Sequence, residues 1–157
     1  MEVSIRRPAG KEELEACGRI MSSQEPWLTL RRGYDHALAL LKNPEREVYV
    51  AAVDGAVAGF IILAMGGALK GYIQTIAVSP DWQGRGIGSR LMAFAGERIF
   101  SESPNAFICV SDFNPDARRL YERLGYKLVG ELKDYVVKGH SELLLRKSIG
   151  PLEGFKP

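Results

Sequence analysis

The feature that most constrains the fold is a glycine-rich segment, Gln83-Gly84-Arg85-Gly86-Ile87-Gly88. It follows a β-rich run, Gly71 to Val78, and leads into a helix predicted from about Gly88 to Phe100, whose apolar positions form one face. A helix N-terminus offers unpaired backbone N–H groups and the positive end of the helix dipole, and glycines allow a ligand to approach closely. The segment therefore predicts an anion-binding loop between a strand and a helix.

Three close glycines are also compatible with a simple tight turn between strand and helix. Two nucleotide-binding loops are excluded by detail. The dinucleotide fingerprint requires a glycine where this chain has Ser89. The Walker loop requires Gly-Lys-Ser/Thr, whereas the only Gly-Lys pair, Gly10-Lys11, is followed by Glu12. A phosphate held at the loop would gain charge-assisted hydrogen bonds from Arg85 and from Arg90.

The loop resembles motif A of the GNAT superfamily of acetyl-CoA-dependent N-acyltransferases, Gln/Arg-x-x-Gly-x-Gly/Ala, and the preceding strand residues and Pro80 are similar too. The resemblance implies that backbone N–H groups from Gln83 to Ser89 hold the diphosphate of coenzyme A. It also implies that the strand backbone pairs with the pantetheine arm. The residues implied in cofactor binding are Ile76, Ala77, Val78, Gln83, Gly84, Arg85, Gly86, Ile87, Gly88 and Ser89.

A second motif lies about thirty residues later, from Asn114 to Tyr126. Asn114 is a good N-cap, the Pro after it fits the first helical position, and Gly125 fits a left-handed C-cap. Ala117 and Tyr121 share the apolar face of the predicted helix with two leucines. On these grounds alone, Tyr121 is more typical of a core tyrosine whose hydroxyl reaches the edge.

This second segment is similar to the GNAT segment Asn-x-x-Ala-x-x-Leu-Tyr-x-x-x-Gly-Tyr/Phe. The resemblance implies that the Tyr121 hydroxyl protonates the departing thiolate, which makes Tyr121 the candidate catalytic acid and a cofactor contact. Asn114 and Ala117 are implied as further cofactor contacts. Together the two motifs occupy Tyr72 to Tyr126, with spacing like that of the family.

The base that would deprotonate an amine stays open. Some family members carry a glutamate on one of two central strands, but here those strands read Gly71-Tyr-Ile-Gln-Thr-Ile and Phe107-Ile-Cys-Val. A water chain is one alternative. The titratable candidates are His140, Glu142, Asp112, Glu25, Asp35 and His36.

The acceptor is expected to meet the segment from Ser22 to Tyr34 and the last hairpin, because those segments cover the acceptor site in the family. Trp27 is compatible with an apolar pocket or with ordinary packing beside a proline. Arg31-Arg32 suggests an anionic acceptor, although paired arginines near a helix start are also typical of a solvent-facing surface.

The remaining pattern predicts a mixed α/β (α+β) fold. The resemblance implies that its central sheet is GNAT-like, mostly antiparallel and flanked by helices. One domain over residues 1–150 and a short tail over 151–157 are expected. The predicted elements are strands at 3–6, 47–53, 56–65, 71–78, 106–111, 127–137 and 141–147, and helices at 11–21, 30–42, 88–100 and 114–124. Asp54-Gly55 and Lys138-Gly139 are the expected hairpin turns.

Composition narrows the function. The chain has 21 Lys+Arg against 19 Asp+Glu, a net charge of +2 that argues against nucleic acid as a partner. Its longest apolar run, Val57 to Met65, is too short for a bilayer, so no membrane partner is expected. Cys17 and Cys109 show no metal-ligand or disulfide spacing, which suggests no metal and a cytoplasmic protein.

The resulting hypothesis is an N-acetyltransferase that uses acetyl-CoA as cosubstrate. It would acetylate a primary amine of a small molecule or protein by direct attack in a ternary complex. A noncatalytic acyl-CoA-binding sensor or interaction module is the alternative, because no obvious carboxylate base is present. A homodimer is compatible with the sequence.

Overall fold

The computed structural model describes residues 1–157 and contains a seven-stranded sheet in the order β1-β2-β3-β4-β5-β7-β6. Neighbouring strands are antiparallel except β4 and β5, which are parallel. The predicted fold class is therefore confirmed. The elements are β1 Ser4–Arg6, α1 Lys11–Ser22, α2 Tyr34–Leu41, β2 Glu47–Val53, β3 Ala56–Ala64, β4 Tyr72–Val78, a 3₁₀ turn Pro80–Trp82, α3 Ile87–Phe100, β5 Asn105–Ser111, α4 Pro115–Arg123, β6 Lys127–Lys133 and β7 Ser141–Ser148.

The first hairpin shows how local chemistry sets the sheet. Asp54 and Gly55 both adopt positive φ, at 51° and 79°, which matches the twist that a two-residue turn must give adjacent strands. The register then pairs Val53 with Ala56 and continues along β2 and β3, with one irregularity next to Ala52. This expected turn is confirmed.

Two predicted boundaries were wrong. α2 begins at Tyr34 rather than at residue 30, because Arg31 has a φ of 56° and Gly33 an extended backbone, so the preceding residues form separate turns. The last hairpin is not closed at Lys138-Gly139 alone. β6 ends at Lys133, and residues 134–140 form a wider connection in which Asp134 Oδ1 accepts a 2.7 Å hydrogen bond from the Gly139 N–H.

Both faces of the sheet are buried. Along β3, Phe60 and Ile62 belong to the core cluster under α1 and α2, whereas Ile61 and Leu63 belong to the cluster under α3 and α4. All four side chains are 0% exposed. Burial on both faces explains why this strand is a continuous apolar run rather than an alternating one.

The parallel pair at the centre separates after a short contact. β4 and β5 pair only through Tyr72 with Phe107 and Ile73 with Ile108. In β4 the register with β3 then shifts, so that Gln74 is an extra residue between the partners of Leu63 and Ile62. Such a bulge bends a strand and redirects its side chains. A cleft opens between the C-terminal halves of β4 and β5.

None of the helices has the length and apolar character needed to cross a bilayer.

Candidate active site

The cleft between β4 and β5 has a volume of about 720 Å³. Its floor comes from both strands and from α4, and further walls come from the segment between α1 and α2, from α2 and from the β6–β7 connection. The cleft-lining residues that bear on the chemistry are Glu25, Arg32, His36, Tyr72, Gln74, Cys109, Ser111, Asn114, Asp116, Ala117, Tyr121, Tyr135 and Glu142.

The glycine loop presents free backbone donors. Gly84 and Gly86 have φ values of 76° and 80°, a left-handed conformation that favours glycine. The Gln83 N–H, which was also expected to bind the anion, donates instead to the Pro80 carbonyl at 3.5 Å. The N–H groups of residues 84–89 donate to no acceptor within the protein, and the next engaged amide is that of Arg90, bonded to the Gly86 carbonyl at 3.1 Å. Successive free N–H groups at a helix start form a concave site for an anion.

The loop lies at the Val78 end of β4. A Cβ built on Gly88 would lie 3.8 Å from Val78 Cγ2, so loop and strand are in contact. All of the residues expected outside the glycine turn line the cleft, namely Ile76, Ala77, Val78, Gln83, Asn114, Ala117 and Tyr121, whereas residues 84–89 of the turn itself do not line it. Ile87 is 1% exposed, so only its backbone is available to a ligand.

Two glutamines meet at the Val78 carbonyl, a feature that sequence reasoning missed. Gln24 Nε2 and Gln83 Nε2 each donate to Val78 O at 3.1 Å, and Gln83 also donates to Gln24 Oε1 at 2.9 Å. These bonds join the end of α1 to the glycine loop. They also occupy the Val78 carbonyl, so an extended ligand arm would pair with other groups of β4. Nothing local in the sequence distinguishes Gln24.

The two arginines near the loop are exposed. The Arg85 guanidinium lies 4.8 Å from the centroid of the Trp82 ring, a cation–π contact that holds it beside the turn. Neither Arg85 nor Arg90 forms an ion pair with a protein carboxylate.

Tyr121 lies on α4 and is 7% exposed, and its hydroxyl makes no hydrogen bond within the protein. Burial, together with the nearby Tyr126, raises the pKa of the Tyr121 phenol well above its ordinary value. The phenol is therefore protonated at neutral pH. Asn114 caps α4 by accepting from the Ala117 N–H at 3.4 Å, which leaves its side-chain NH₂ as a donor.

Among the candidate bases, Glu142 lies deepest in the cleft. It is 8% exposed, and Ser111 Oγ donates to its Oε2 at 2.6 Å, because the β5–β7 register places the two residues opposite each other. Burial raises the pKa of the Glu142 carboxyl, the hydrogen bond from Ser111 opposes that rise, and the charge of Asp112 adds to it. A carboxylate with a raised pKa is a stronger base than an exposed one.

The other candidates differ in position. Asp112 and His140 contact each other, with 3.3 Å between Oδ1 and Nδ1, and neither lines the cleft. Asp35 also lies outside it. Glu25 and His36 do line the cleft; burial, and then the charge of Arg32, lower the pKa of His36, which is neutral at pH 7.

Tyr72 and Cys109 complete the surroundings of Glu142 and were not anticipated as site residues. Burial is the main cause of the raised pKa of both the Tyr72 phenol and the Cys109 thiol, and Glu142 adds to each rise. The thiol is therefore protonated and a weak nucleophile. No cluster of three or more His, Cys, Asp or Glu residues with metal-binding geometry is present.

A mixed sheet with a splayed parallel pair, a loop of free backbone amides near its open end and a buried phenol in the cleft is the arrangement expected of an acyltransferase class of protein. A family model described as the acetyltransferase (GNAT) family matches residues 12–126. The chain belongs to this family, which confirms the predicted family and its acetyltransferase character.

Curated relatives agree. An uncharacterized N-acetyltransferase of Methanocaldococcus jannaschii is 34% identical over 63% of this chain and 64% of its own. The chain thus spans slightly less than two thirds of that relative. An N-alpha-acetyltransferase of Sulfurisphaera tokodaii is 31% identical over 67% of this chain and 71% of its own. The S-(2-succino)cysteine N-acetyltransferase of Bacillus subtilis is 32% identical over 70% and 72%.

Solved structures share the fold. A protein of Desulfovibrio desulfuricans assigned to the GNAT family superimposes with a TM-score of 0.80 at 22% identity, covering 95% of this chain and 100% of its own. An aminoglycoside 6′-N-acetyltransferase complexed with coenzyme A has a TM-score of 0.74 at 18% identity, covering 100% and 99%. At these identities the likeness concerns the fold alone.

Proposed function

We propose that residues 1–150 form one domain that transfers an acetyl group from acetyl-CoA to the α-amino group of an amino acid derivative or peptide. One observation carries the proposal. The phenol of Tyr121 and the buried carboxyl of Glu142 line a single cleft, and the cleft reaches Val78 and Gln83, which adjoin the free amides of residues 84–89 before and at the start of α3. These are the groups that acetyl transfer to an amine requires.

The cleft suits coenzyme A. The N–H groups of residues 84–89 would hold its diphosphate, and Arg85 lies beside the turn to add charge. Beyond Ile73, β4 has no strand partner on the β5 side, so its backbone is available to an extended amide-containing arm. When bound, acetyl-CoA supplies an activated thioester whose leaving group is a thiolate. An aminoglycoside acetyltransferase of the same fold is itself complexed with coenzyme A.

The protein's own residues would carry out the two proton transfers, one from the amine and one to the leaving sulfur. Glu142 takes the proton of the incoming amine, since it is the buried carboxylate of the cleft and its pKa is raised. A backbone N–H of β4 stabilises the carbonyl oxygen as it becomes negative. Tyr121, protonated because of its raised pKa, donates to the departing sulfur. No covalent bond to the protein forms, in keeping with a protonated Cys109.

An α-amino acceptor matches this base better than a lysine side chain does. α-Ammonium groups have pKa values of about 7.7–8.0, against about 10.4 for the lysine ammonium, so a carboxylate removes their proton with less free-energy cost. Two relatives also act on such groups by their names, an N-alpha-acetyltransferase and an N-acetyltransferase of a cysteine derivative.

The decisive experiment combines acetyl-CoA titration with an assay for free coenzyme A in the presence of amino acids, short peptides and lysine analogues blocked at the α-amine. We expect acetyl-CoA binding and release of coenzyme A only with free α-amines. Binding without release from any acceptor would favour the noncatalytic acyl-CoA-binding alternative. Failure of acetyl-CoA to bind would contradict both the acetyltransferase and the noncatalytic alternative. The cytoplasmic location and a homodimer stay predictions.

A further inference from the structure

We propose that the acceptor carries a carboxylate and that Arg32 binds it. This inference rests on the proposed function and narrows its acceptor to anionic amines. Arg32 is the only Arg or Lys among the residues that line the cleft. Its guanidinium makes neither a hydrogen bond nor an ion pair within the protein.

The protein's own carboxylates in the cleft are already engaged elsewhere. Both oxygens of Glu25 bind Thr29, one through its N–H at 2.8 Å and the other through its hydroxyl at 2.6 Å. Asp116 pairs with Arg119, one turn along α4. Glu142 accepts from Ser111. The Arg32 guanidinium therefore has several N–H donors and no carboxylate partner within the protein. A guanidinium in such a site pairs strongly with the carboxylate of a ligand.

The surroundings of Arg32 favour a bound anion. The Arg32 backbone N–H donates to the Trp27 carbonyl at 3.0 Å, which fixes the residue in the segment between α1 and α2. His36 lies close enough for the Arg32 charge to lower its pKa, so two groups able to donate to an anion face this part of the cleft.

The cleft carries an acidic group on one side and a basic group on another, as expected for an acceptor that has both an amine and a carboxylate. Glu142, on β7, is the group assigned to the amine, and Arg32 belongs to the segment between α1 and α2. The donors assigned to the diphosphate of coenzyme A lie on a third element, the start of α3. Arg32 is therefore left to the acceptor, whose carboxylate is either that of a free amino acid or that of an acidic residue in a peptide.

The test compares acceptors that differ only in charge. One arm uses free amino acids and their carboxamides, and the other uses amidated dipeptides whose second residue is Glu or Gln. Steady-state kinetics are measured on the wild type, Arg32→Gln and Arg32→Lys. Arg31→Gln is the matched control, because Arg31 is the exposed neighbour and does not line the cleft.

In the wild type we expect a lower KM for the anionic member of a pair in at least one arm, and the responding arm identifies the source of the carboxylate. Arg32→Gln should raise that KM about tenfold or more and leave the neutral member nearly unchanged, as expected for one lost charge-assisted contact. Arg32→Lys should recover part of the preference, and Arg31→Gln should keep all of it.

Equal use of charged and neutral acceptors by the wild type would overturn the inference while leaving the proposed function intact. So would an Arg32→Gln effect confined to the KM of acetyl-CoA, which would assign the guanidinium to a phosphate. Absence of coenzyme A release with every acceptor, despite acetyl-CoA binding, would instead overturn the proposed function and, with it, this inference.

Discussion

At the scale of single residues, the Tyr121 phenol is the cleft group whose environment bears most directly on the proposed chemistry. A tyrosine in a protein core normally gives its hydroxyl a hydrogen-bond partner. Tyr121 is 7% exposed, yet its hydroxyl has none within the protein and the residue lines the cleft. A hydroxyl that lies in a cleft without a hydrogen-bond partner from the protein is typical of a residue that contacts a ligand.

Replacing Tyr121 by Phe tests the role of its hydroxyl. We expect kcat to fall about 100-fold, within the range known for a lost general acid, while the Kd for acetyl-CoA changes less than about twofold. Stability should be nearly unchanged, because the ring remains. Tyr126→Phe is the control. Tyr126 is also buried and its ring contacts the ring of Tyr121, but Tyr126 does not line the cleft. Equal loss of turnover in both variants would indicate a role in structure alone.

Glu142→Gln tests the assignment of the base by comparing the pH profile of kcat in the variant with that of the wild type. Loss of the carboxylate should lower kcat at neutral pH about 100-fold or more and remove the acidic limb that Glu142 gives the kcat profile. The control is Glu131→Gln, on β6, where the carboxylate accepts from Ser141 outside the cleft. An unchanged rate in Glu142→Gln would return the choice to Glu25, His36 or water.

The stability of the same variant follows from the direction of the pKa shift. The folded pKa of Glu142 lies above the ordinary value of 4.5, so its favourable contribution is present below pH 4.5 and is lost as pH rises through the folded pKa. Glu142→Gln lacks this loss. Denaturant unfolding should therefore show the variant gaining free energy of unfolding relative to wild type as the pH rises above 4.5.

At the scale of elements, the glycine loop works through its backbone. Positive φ at Gly84 and Gly86 turns successive N–H groups outward before α3 begins, and no protein acceptor engages them. The side chains that follow serve another purpose, because Ile87 and Leu91 are buried in the core under the helix. One short sequence thus encodes both the row of free amides and the anchoring of the helix that follows it.

Gly86→Asp, compared with Gly86→Asn, separates charge from backbone effects. Both side chains tolerate positive φ better than most, and a Cβ at this position meets no atom within 4 Å, so both variants should fold. Only Asp places a negative charge beside the amides. We expect Asp to weaken coenzyme A binding at least tenfold more than Asn does, measured by calorimetry at fixed salt. Equal affinities would contradict the assignment of the diphosphate to this loop.

Elements encoded by consecutive residues were predicted well from the sequence. The Asp54-Gly55 turn and the cap at Asn114 depend on local chemistry, and the β2–β3 hairpin and α4 have close to the expected bounds. α2 and the last hairpin were misplaced because Arg31 and Asp134 adopt positive φ: an arginine does not signal this conformation, and Asp134 lacks the following glycine that marked the turn at Asp54. Likewise, Glu142 could not be separated from the other bases, because its distinction is its burial in the cleft, which depends on the pairing of β7 with β5 around Ser111, 31 residues away in sequence.

At the scale of the whole molecule, the cleft exists because the two halves of the sheet are joined only briefly. Strands β1 to β4 form one half and β5, β7 and β6 the other, and two residue pairs connect them. Gly71 stands at the start of that junction. Its N–H donates to the Ala64 carbonyl at 3.1 Å, and its carbonyl accepts from the Phe107 N–H at 2.9 Å.

Gly71→Ala should therefore destabilise the whole protein. The φ of Gly71 is 88°, and an added Cβ would lie 2.5 Å from the Asn105 carbonyl oxygen and 2.6 Å from Ile99 Cγ2. Gly67→Ala is the matched control, with a φ of 85° and no atom within 4 Å of the added Cβ. Both variants lose about 1–2 kcal/mol to the left-handed backbone, and only Gly71→Ala adds a steric cost of about 1–3 kcal/mol.

Urea unfolding at neutral pH measures the difference directly. We expect the midpoint of Gly71→Ala to fall well below that of Gly67→Ala with the slope unchanged, as for a change in stability rather than in compactness. Because the junction also sets the separation of β4 and β5, Gly71→Ala should bind acetyl-CoA more weakly even where it is fully folded, whereas Gly67→Ala should bind like wild type. Matching midpoints and affinities in the two variants would mean that this short junction does not hold the cleft open.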